Sequence, residues 1–557
     1  MAAAVLISNP SANMPFIDDF SYIKSAIDFA HTGRFVYNGW AVEILGWLIP
    51  WGALFIKIFG FSFTGMRFSM LPLAMLAVFL FHQILRRFGV NAQNSVFGAL
   101  TLGISPLFLP MAASFMTDVP GLLVILVCIY MCQRAVAAPS DRSALLWLCA
   151  ATLVNVAGGT VRQIAWLGAL VMVPSTAWLL RRRRGMKVAV VLLFLFAFGG
   201  VEACMRWFAH QPYSVPEHII PGPIHARTIV HLGAQLFKSL LCLLLVVLPV
   251  CVAWFSTVRR LTRKTRRRIA GAMAVTLFAA MVLYMHDTLQ GWLVPWLTYL
   301  IAGQSTLQGF RPDFVGLTTI KLTISFIVIM SAIVLFEEWI AWTREKRERS
   351  GVCQRRWNEI QWILGLFSLS YFLLLTPRGA FSIIQIRYLL GLVPGIIVAL
   401  LFLYQERIGP KIPNLAIATL AVFAVFSIAG THDFFSESRA VVQTVKTLQT
   451  SGISRYLIQA GFPDDGWAQI QHGGHINDPR IEIPAGAYHY TGFNLTYPRP
   501  YTNWFGDLTP SVVARYFIVP EQLSGFTGTR FPPTHYTTWL PPFHRALYVQ
   551  QLRPDAN

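Results

Sequence analysis

Long apolar runs, separated by short stretches that gather most of the charge, set the pattern of this 557-residue chain. The runs cover residues 66–85, 95–110, 119–135, 144–160, 164–180, 188–204, 229–255, 269–285, 318–341, 359–376, 389–405 and 412–430. Most are close to the roughly 20 residues a helix needs to cross the hydrocarbon of a bilayer. Only a helix or a closed barrel satisfies its own backbone hydrogen bonds there. The runs lack the strict alternation of a barrel strand, so the pattern predicts about twelve membrane-spanning helices.

Ahead of the first run, Phe20, Ile23, Ile27 and Ala30 recur at helical spacing, while Ser21, Lys24 and Asp28 fall off that face. This predicts an amphipathic helix on the membrane surface with Asp19 as its N-cap. Residues 1–17 are too short, and too broken by Asn, Pro and Ser, to span. They also lack the basic start of a signal peptide, so a first crossing is expected to be missing from this sequence. From Thr431 the chain is rich in Pro, Gly, Tyr and His, with short alternating runs such as ARYFIVP at 514–520. That predicts a small domain with some strand content. Within it FPDDGW (462–467) and HGGH (472–475) read as turns. The expected architecture is therefore an all-α polytopic membrane protein in three parts. These are a first extracytoplasmic segment (1–65), a transmembrane helical domain (66–430) and a small mixed C-terminal extracytoplasmic domain (431–557).

Composition agrees: 55% of residues are hydrophobic and only 13% charged, where a soluble domain carries about a quarter charged. The net charge of +20 points at first sight to nucleic acid, but the basic residues stand in the wrong places for it. The clusters RRRRGMK (181–187), RRLTRKTRRR (259–268) and TREKRERSGVCQRR (343–356) lie between apolar runs. They are what the positive-inside rule asks of cytoplasmic loops. Loops assigned inside then carry roughly 24 Lys and Arg against about 11 outside, and both ends of the chain fall on the outer face. The protein is expected in the inner (plasma) membrane, with no nucleic-acid partner. Its seven cysteines lie in apolar runs or in a basic loop, so no disulfide framework is expected.

Three acids stand out at the predicted outer face. Asp18 and Asp19 are adjacent in MPFIDDFSYIKSA, and Asp118 opens an apolar run in SFMTDVPGLLVILV. One aspartate suffices to cap a helix; two adjacent charges repel, so the cap leaves Asp18 unexplained. Acids at an interface without a partner nearby in sequence point to a functional one. Two isolated arginines, Arg162 in VRQ and Arg387 in IRY, are predicted to face the same side. Guanidinium suits a phosphate bidentately, although an arginine there can also be an anchor snorkelling to the interface. The loop 206–227, with His210, Glu217, His218 and His225, has metal-ligand spacing too loose for zinc and reads as a connector or a lid.

The stretches DDFSYIKSAIDFAHTGRF, LGWLIPWGALFIKIFGFSFTGMRFSMLPL, SFMTDVPGLLVILVCIYMCQRA, GGTVRQIAWLGALVMVP and IQIRYLLGLVPGIIVALL resemble the GT-C superfamily of integral-membrane glycosyltransferases. The resemblance is to its bacterial protein-mannosyltransferase and aminoarabinose-transferase branch (glycosyltransferase family 39-like). It implies an enzyme that moves a sugar, with inversion, from a polyprenyl-phosphate donor to a lipid, protein or glycan acceptor at the outer face. It implies Asp18 as catalytic base, with Asp19 and Asp118 supporting it or sharing a divalent ion (Mg²⁺ or Mn²⁺). Arg162, Gln163, Arg387, Tyr388 and His218 would serve the donor phosphate. The competing class is a polytopic transporter or lipid flippase without transferase activity. Against that class, the acids sit at helix ends rather than mid-bilayer, and no matched halves are visible.

Overall fold

The computed structural model describes residues 1–215, 223, 225–256, 263–285, 307, 318–344, 351–490 and 503–552. Among them, nine helices are long and apolar enough to cross a membrane, against the twelve expected: Phe63–Arg87, Asp118–Val136, Asp141–Val161, Met186–Ala209, Ala226–Val246, Leu322–Arg344, Gly351–Phe381, Ile386–Arg407 and Asn414–Thr450. The chain is a multi-pass membrane protein. The runs at 164–180 and 269–285 are helical too, as Gln163–Leu179 and Arg263–Met285. The run at 95–110 is not a single helix: Ala92–Gly103 stops, and a five-residue helix, Phe108–Ala112, follows. Between them the Ser105 hydroxyl accepts the Phe108 N–H at 3.1 Å, and Pro106 has no N–H to carry the helix on.

Burial grades the spans. Asp118–Val136 is the most enclosed and runs through the centre. Met186–Ala209 is the least, exposing Leu192, Leu195, Phe196 and Phe198 on a face suited only to lipid. All seven cysteines are free thiols.

The first segment departs from a helix floating on the membrane surface. Helix Asp19–Thr32 buries Phe20, Tyr22, Ile23 and Ala26 and packs on Leu48–Phe59 and on Phe462–Gly473 of the tail. It ends at Gly33 in the left-handed region (φ 68°), which glycine enters without strain.

The last span does not stop at the membrane. Asn414–Thr450 is 37 residues long, about 55 Å at 1.5 Å per residue, against roughly 30 Å of hydrocarbon. It therefore projects into the tail, and the composition change at Thr431 falls inside one continuous helix. Among its described residues the tail has five strands: β1 (Ile458–Gln459), β2 (Tyr516–Val519), β3 (Phe526–Gly528), β4 (Thr534–Thr537) and β5 (His544–Leu552). Their order is β1-β2-β5-β3, with β4 also on β5; β1 and β2 run parallel and the other pairs antiparallel. Phe517, Val519 and Phe526 form a small core beneath them.

FPDDGW is not a turn but the first part of helix Phe462–Gly473. Asp464 and Asp465 sit in its first turn, where carboxylates are favoured, and both are gripped by Arg455 at 2.6 and 2.7 Å. HGGH does contain the turn, with Gly474 at φ 78° closing that helix.

Candidate active site

The two adjacent aspartates point to opposite sides of the chain. Neither caps the helix through its side chain. Asp19 is fully buried and accepts the N–H groups of Phe16 (2.6 Å) and Phe115 (3.3 Å). It thereby ties the first segment to the loop ahead of helix Asp118–Val136. Arg67, also buried, completes this clamp by donating to the carbonyls of Pro10 (3.1 Å), Ala12 (2.7 Å) and Met14. Burial raises the Asp19 carboxyl to about 7, against the pull of Arg67 and the two backbone hydrogen bonds. The folded protein thus holds this proton more tightly than the unfolded chain, whose aspartate releases it near 3.8. The group's contribution to stability falls as pH climbs through that interval and is flat above it. Asp19→Asn, neutral at every pH and still able to accept one backbone N–H, is expected to match wild type in Tm only below the unfolded-state value of 3.8. At pH 8 it should exceed it, as read in detergent by thermal unfolding.

Asp18 faces the other way, into a cavity of about 760 Å³. Its Oδ2 meets Arg387 Nη2 at 2.6 Å, and its Oδ1 accepts the Trp40 indole N–H at 3.2 Å. Arg387 lies on a tight turn, Ile386–Leu392, that precedes helix Val393–Arg407. Tyr388 follows it. The Tyr371 hydroxyl donates to the Tyr388 carbonyl at 2.7 Å and holds that turn. Three guanidiniums surround the Tyr388 ring: Arg378 at 4.7 Å, Arg162 at 5.2 Å and Arg387 at 5.6 Å from its centroid. The ring's quadrupole attracts each guanidinium, and the three together form a wall of cations around Tyr388.

Asp118 stands behind this wall. It pairs with Arg162 at 3.0 Å, and Arg162 also donates to Thr117 at 3.0 Å. Arg162 reaches in from an extended residue (φ −150°, ψ 106°) between two short helical turns, which frees it from the helix face. Gln163 donates to the Val42 carbonyl at 2.7 Å. Asp118, Arg162 and Gln163 do not themselves line the cavity; Asp18, Arg387 and Tyr388 do. His218 lies outside the described residues.

Further charged groups line the cavity, among them Glu43, Lys238 and Arg378. Glu43 takes a hydrogen bond from the Tyr22 hydroxyl at 3.2 Å. Enclosure pushes its carboxyl up, opposed by Arg162 and Arg387 and aided by Asp118 and Asp18, so all four charges lie around it. Lys238 comes from helix Ala226–Val246 and Arg378 from the end of Leu366–Phe381. The sequence carried the signal for two of them. Glu43 is the only charged residue between Arg34 and Lys57, and Lys238 the only one between Arg227 and Arg259. A lone ionisable residue in an apolar run is a functional candidate by default.

Among the described residues, each of the three acids expected to share a divalent ion has another partner. Asp18 is engaged by Arg387 and Trp40, Asp19 by two backbone amides, and Asp118 by Arg162. Among the described residues no group of three His, Cys, Asp or Glu side chains is placed to hold a metal.

No protein-family model and no curated protein matches the chain. Among solved structures it is similar to ArnT from Cupriavidus metallidurans bound to undecaprenyl phosphate, at 12% identity over 81% of this chain and 72% of that one, with a TM-score of 0.42. It is similar also to the archaeal oligosaccharyltransferase AglB from Archaeoglobus fulgidus in complex with an inhibitory peptide and a dolichol-phosphate. That match has 13% identity over 92% of this chain and 63% of that one, with a TM-score of 0.41. Scores this low carry no residue-by-residue correspondence.

Proposed function

We propose that the protein is an inverting glycosyltransferase that moves a sugar from a polyprenyl-phosphate donor to an acceptor hydroxyl at the outer membrane face, with Asp18 as general base. The observation that carries this reading is one cavity, lined by both the spans and the tail, in which the Asp18 carboxylate shares the lining with the cations Lys238, Arg378 and Arg387. A phosphate monoester or diester on a lipid needs that positive wall at the interface, while its tail stays in hydrocarbon. The reaction is a single in-line displacement. The acceptor oxygen attacks the anomeric carbon as the bond to the phosphate oxygen breaks. The electron pair leaves on the phosphate, and the acceptor proton passes to Asp18. Phosphate leaves without protonation, so no second carboxylic acid is required, unlike a glycosidase.

Arg387 has two claimants in this scheme. In the resting site it neutralises Asp18 at 2.6 Å; a docked phosphate competes for the same guanidinium and leaves the Asp18 oxygen free for the acceptor. Glu43, held by Tyr22, lines the same cavity close to Arg162 and Arg387 and offsets part of their charge. Asp19 and Arg67 act at a distance, fixing the loop that presents Asp18.

The test is direct. Membranes containing the protein are incubated with labelled polyprenyl-phosphate sugars and cell-envelope acceptors. Label is expected to leave the lipid and appear in an acceptor fraction. Label that changes leaflet while remaining on the carrier would support a flippase instead and overturn the proposal.

A further inference from the structure

The cavity does not end at the charged wall. Its far side is built by the tail and by the loop after Gly33, and that side is aromatic. Trp40 packs on Phe462 (ring centroids 4.8 Å apart), and Phe462 on Trp504 (5.1 Å). Trp504 is 58% exposed and continues the row into a contiguous aromatic patch, the kind of surface that marks a binding site. At the opposite end of this row, the Trp40 indole N–H holds Asp18 at 3.2 Å. The row of rings therefore runs from open solvent to the carboxylate that takes the proton.

The support beneath the row is rigid. Asn38 donates to the Ser21 carbonyl at 2.9 Å and its own carbonyl accepts Ile476 N–H at 2.8 Å, so the loop bearing Trp40 is fixed to both the first helix and the tail. Asp465 accepts the Ala460 N–H at 3.1 Å and is bound by Arg455, which fixes the turn presenting Phe462. Such support is what a binding subsite needs and a loose surface does not have.

We infer that this aromatic row is the acceptor subsite and that the acceptor presents a sugar ring to it. The inference rests on the transferase reading above. The chemistry of the lining selects the class. A pyranose or furanose has an apolar face of C–H bonds that lies on an indole, and hydroxyls at its rim that seek carboxylates, guanidiniums and hydroxyls. Glu437, Ser438 and Arg480 line the same cavity beside the rings. A peptide acceptor would be held through its main chain, yet no residue of β1–β5 contributes to the lining. A purely lipid acceptor would call for an apolar groove on the spans. Phe462 and Trp504 both lie outside every candidate span.

The experiment reads binding without turnover. Full-length protein in nanodiscs is probed by saturation-transfer NMR with chitotriose, mannotriose and an arabinofuranose trisaccharide, and separately with a Ser/Thr-rich peptide. At least one trisaccharide is expected to bind through its ring C–H protons, and Trp504→Ala should weaken it about tenfold, as for one lost aromatic contact. Arg387→Gln should leave it unchanged, and the fold of Trp504→Ala is checked by its unaltered elution profile and Tm. Binding of the peptide alone, no binding of any trisaccharide, or equal affinity in wild type and Trp504→Ala would each overturn the inference. If a trisaccharide binds as expected but wild type transfers no sugar from the lipid donor, the transferase reading fails, and with it the acceptor role, while the row stands as a sugar-binding site.

Discussion

Asp18→Asn is expected to fold as wild type and to lose sugar transfer by about 10²- to 10⁴-fold, the contribution a positioned general base makes. Asparagine keeps the shape and can still accept the Trp40 indole N–H, but it cannot take a proton from the acceptor. It also leaves Arg387 without its 2.6 Å partner, so the donor phosphate should bind no worse and could bind more tightly. The loss should therefore appear in kcat with the donor KM unchanged or lowered. Arg387→Gln should show the complementary pattern, a raised donor KM, because it removes a phosphate contact while freeing the carboxylate. The measurement is steady-state transfer by each purified variant at several donor concentrations. Turnover of Asp18→Asn near wild type would remove Asp18 from the chemistry, whatever its place in the cavity.

How much of this site could be read from the chain depends on what each residue answers to. Spans answer to length and apolarity, both local, and nine of the expected runs are present as long helices among the described residues. The run at 95–110 was misread because average apolarity hides a Ser-Pro break that only the hydrogen bond from Phe108 N–H to Ser105 reveals. Asp18 is legible as an acid the helix cap does not need and Arg387 as an isolated charge in apolar surroundings, and they meet across 369 positions. Asp19 looked equivalent to Asp18 because sequence adjacency says nothing about direction. On an irregular entry to a helix two neighbours face different ways, and Asp19 turns to backbone amides that lie 3 and 96 positions away. Glu43 and Lys238 stand as isolated charges in apolar stretches just as Asp118 does, so the chain marks them by the same signal. The aromatic row was out of reach. Its members at 40, 462 and 504 share no local pattern, and aromatic residues are common throughout this chain.

Breaking the Asp118–Arg162 pair should be the most destabilising change in the site. Both side chains are nearly closed off from solvent, at 0% and 10% exposure. Asp118→Ala would leave the Arg162 guanidinium enclosed beside the Tyr388 ring, with Arg378 and Arg387 close by and only Glu43 and Thr117 to answer it. An uncompensated buried charge costs about 3–5 kcal/mol, so the variant is expected to unfold well below wild type in a detergent thermal scan. Arg162→Met should do comparable harm by stranding the carboxylate. The double variant, Asp118→Leu with Arg162→Met, removes both charges together and should recover much of the lost Tm, since replacing a buried pair by apolar side chains is often close to neutral. Its activity should not return. Arg162 is one of the three guanidiniums around Tyr388, and without it the wall that receives the phosphate is altered even in a stable protein. A double variant that is as unstable as the two single losses added together would show that the pair is not a coupled unit. A stable double variant with full activity would place both residues outside the function of the site.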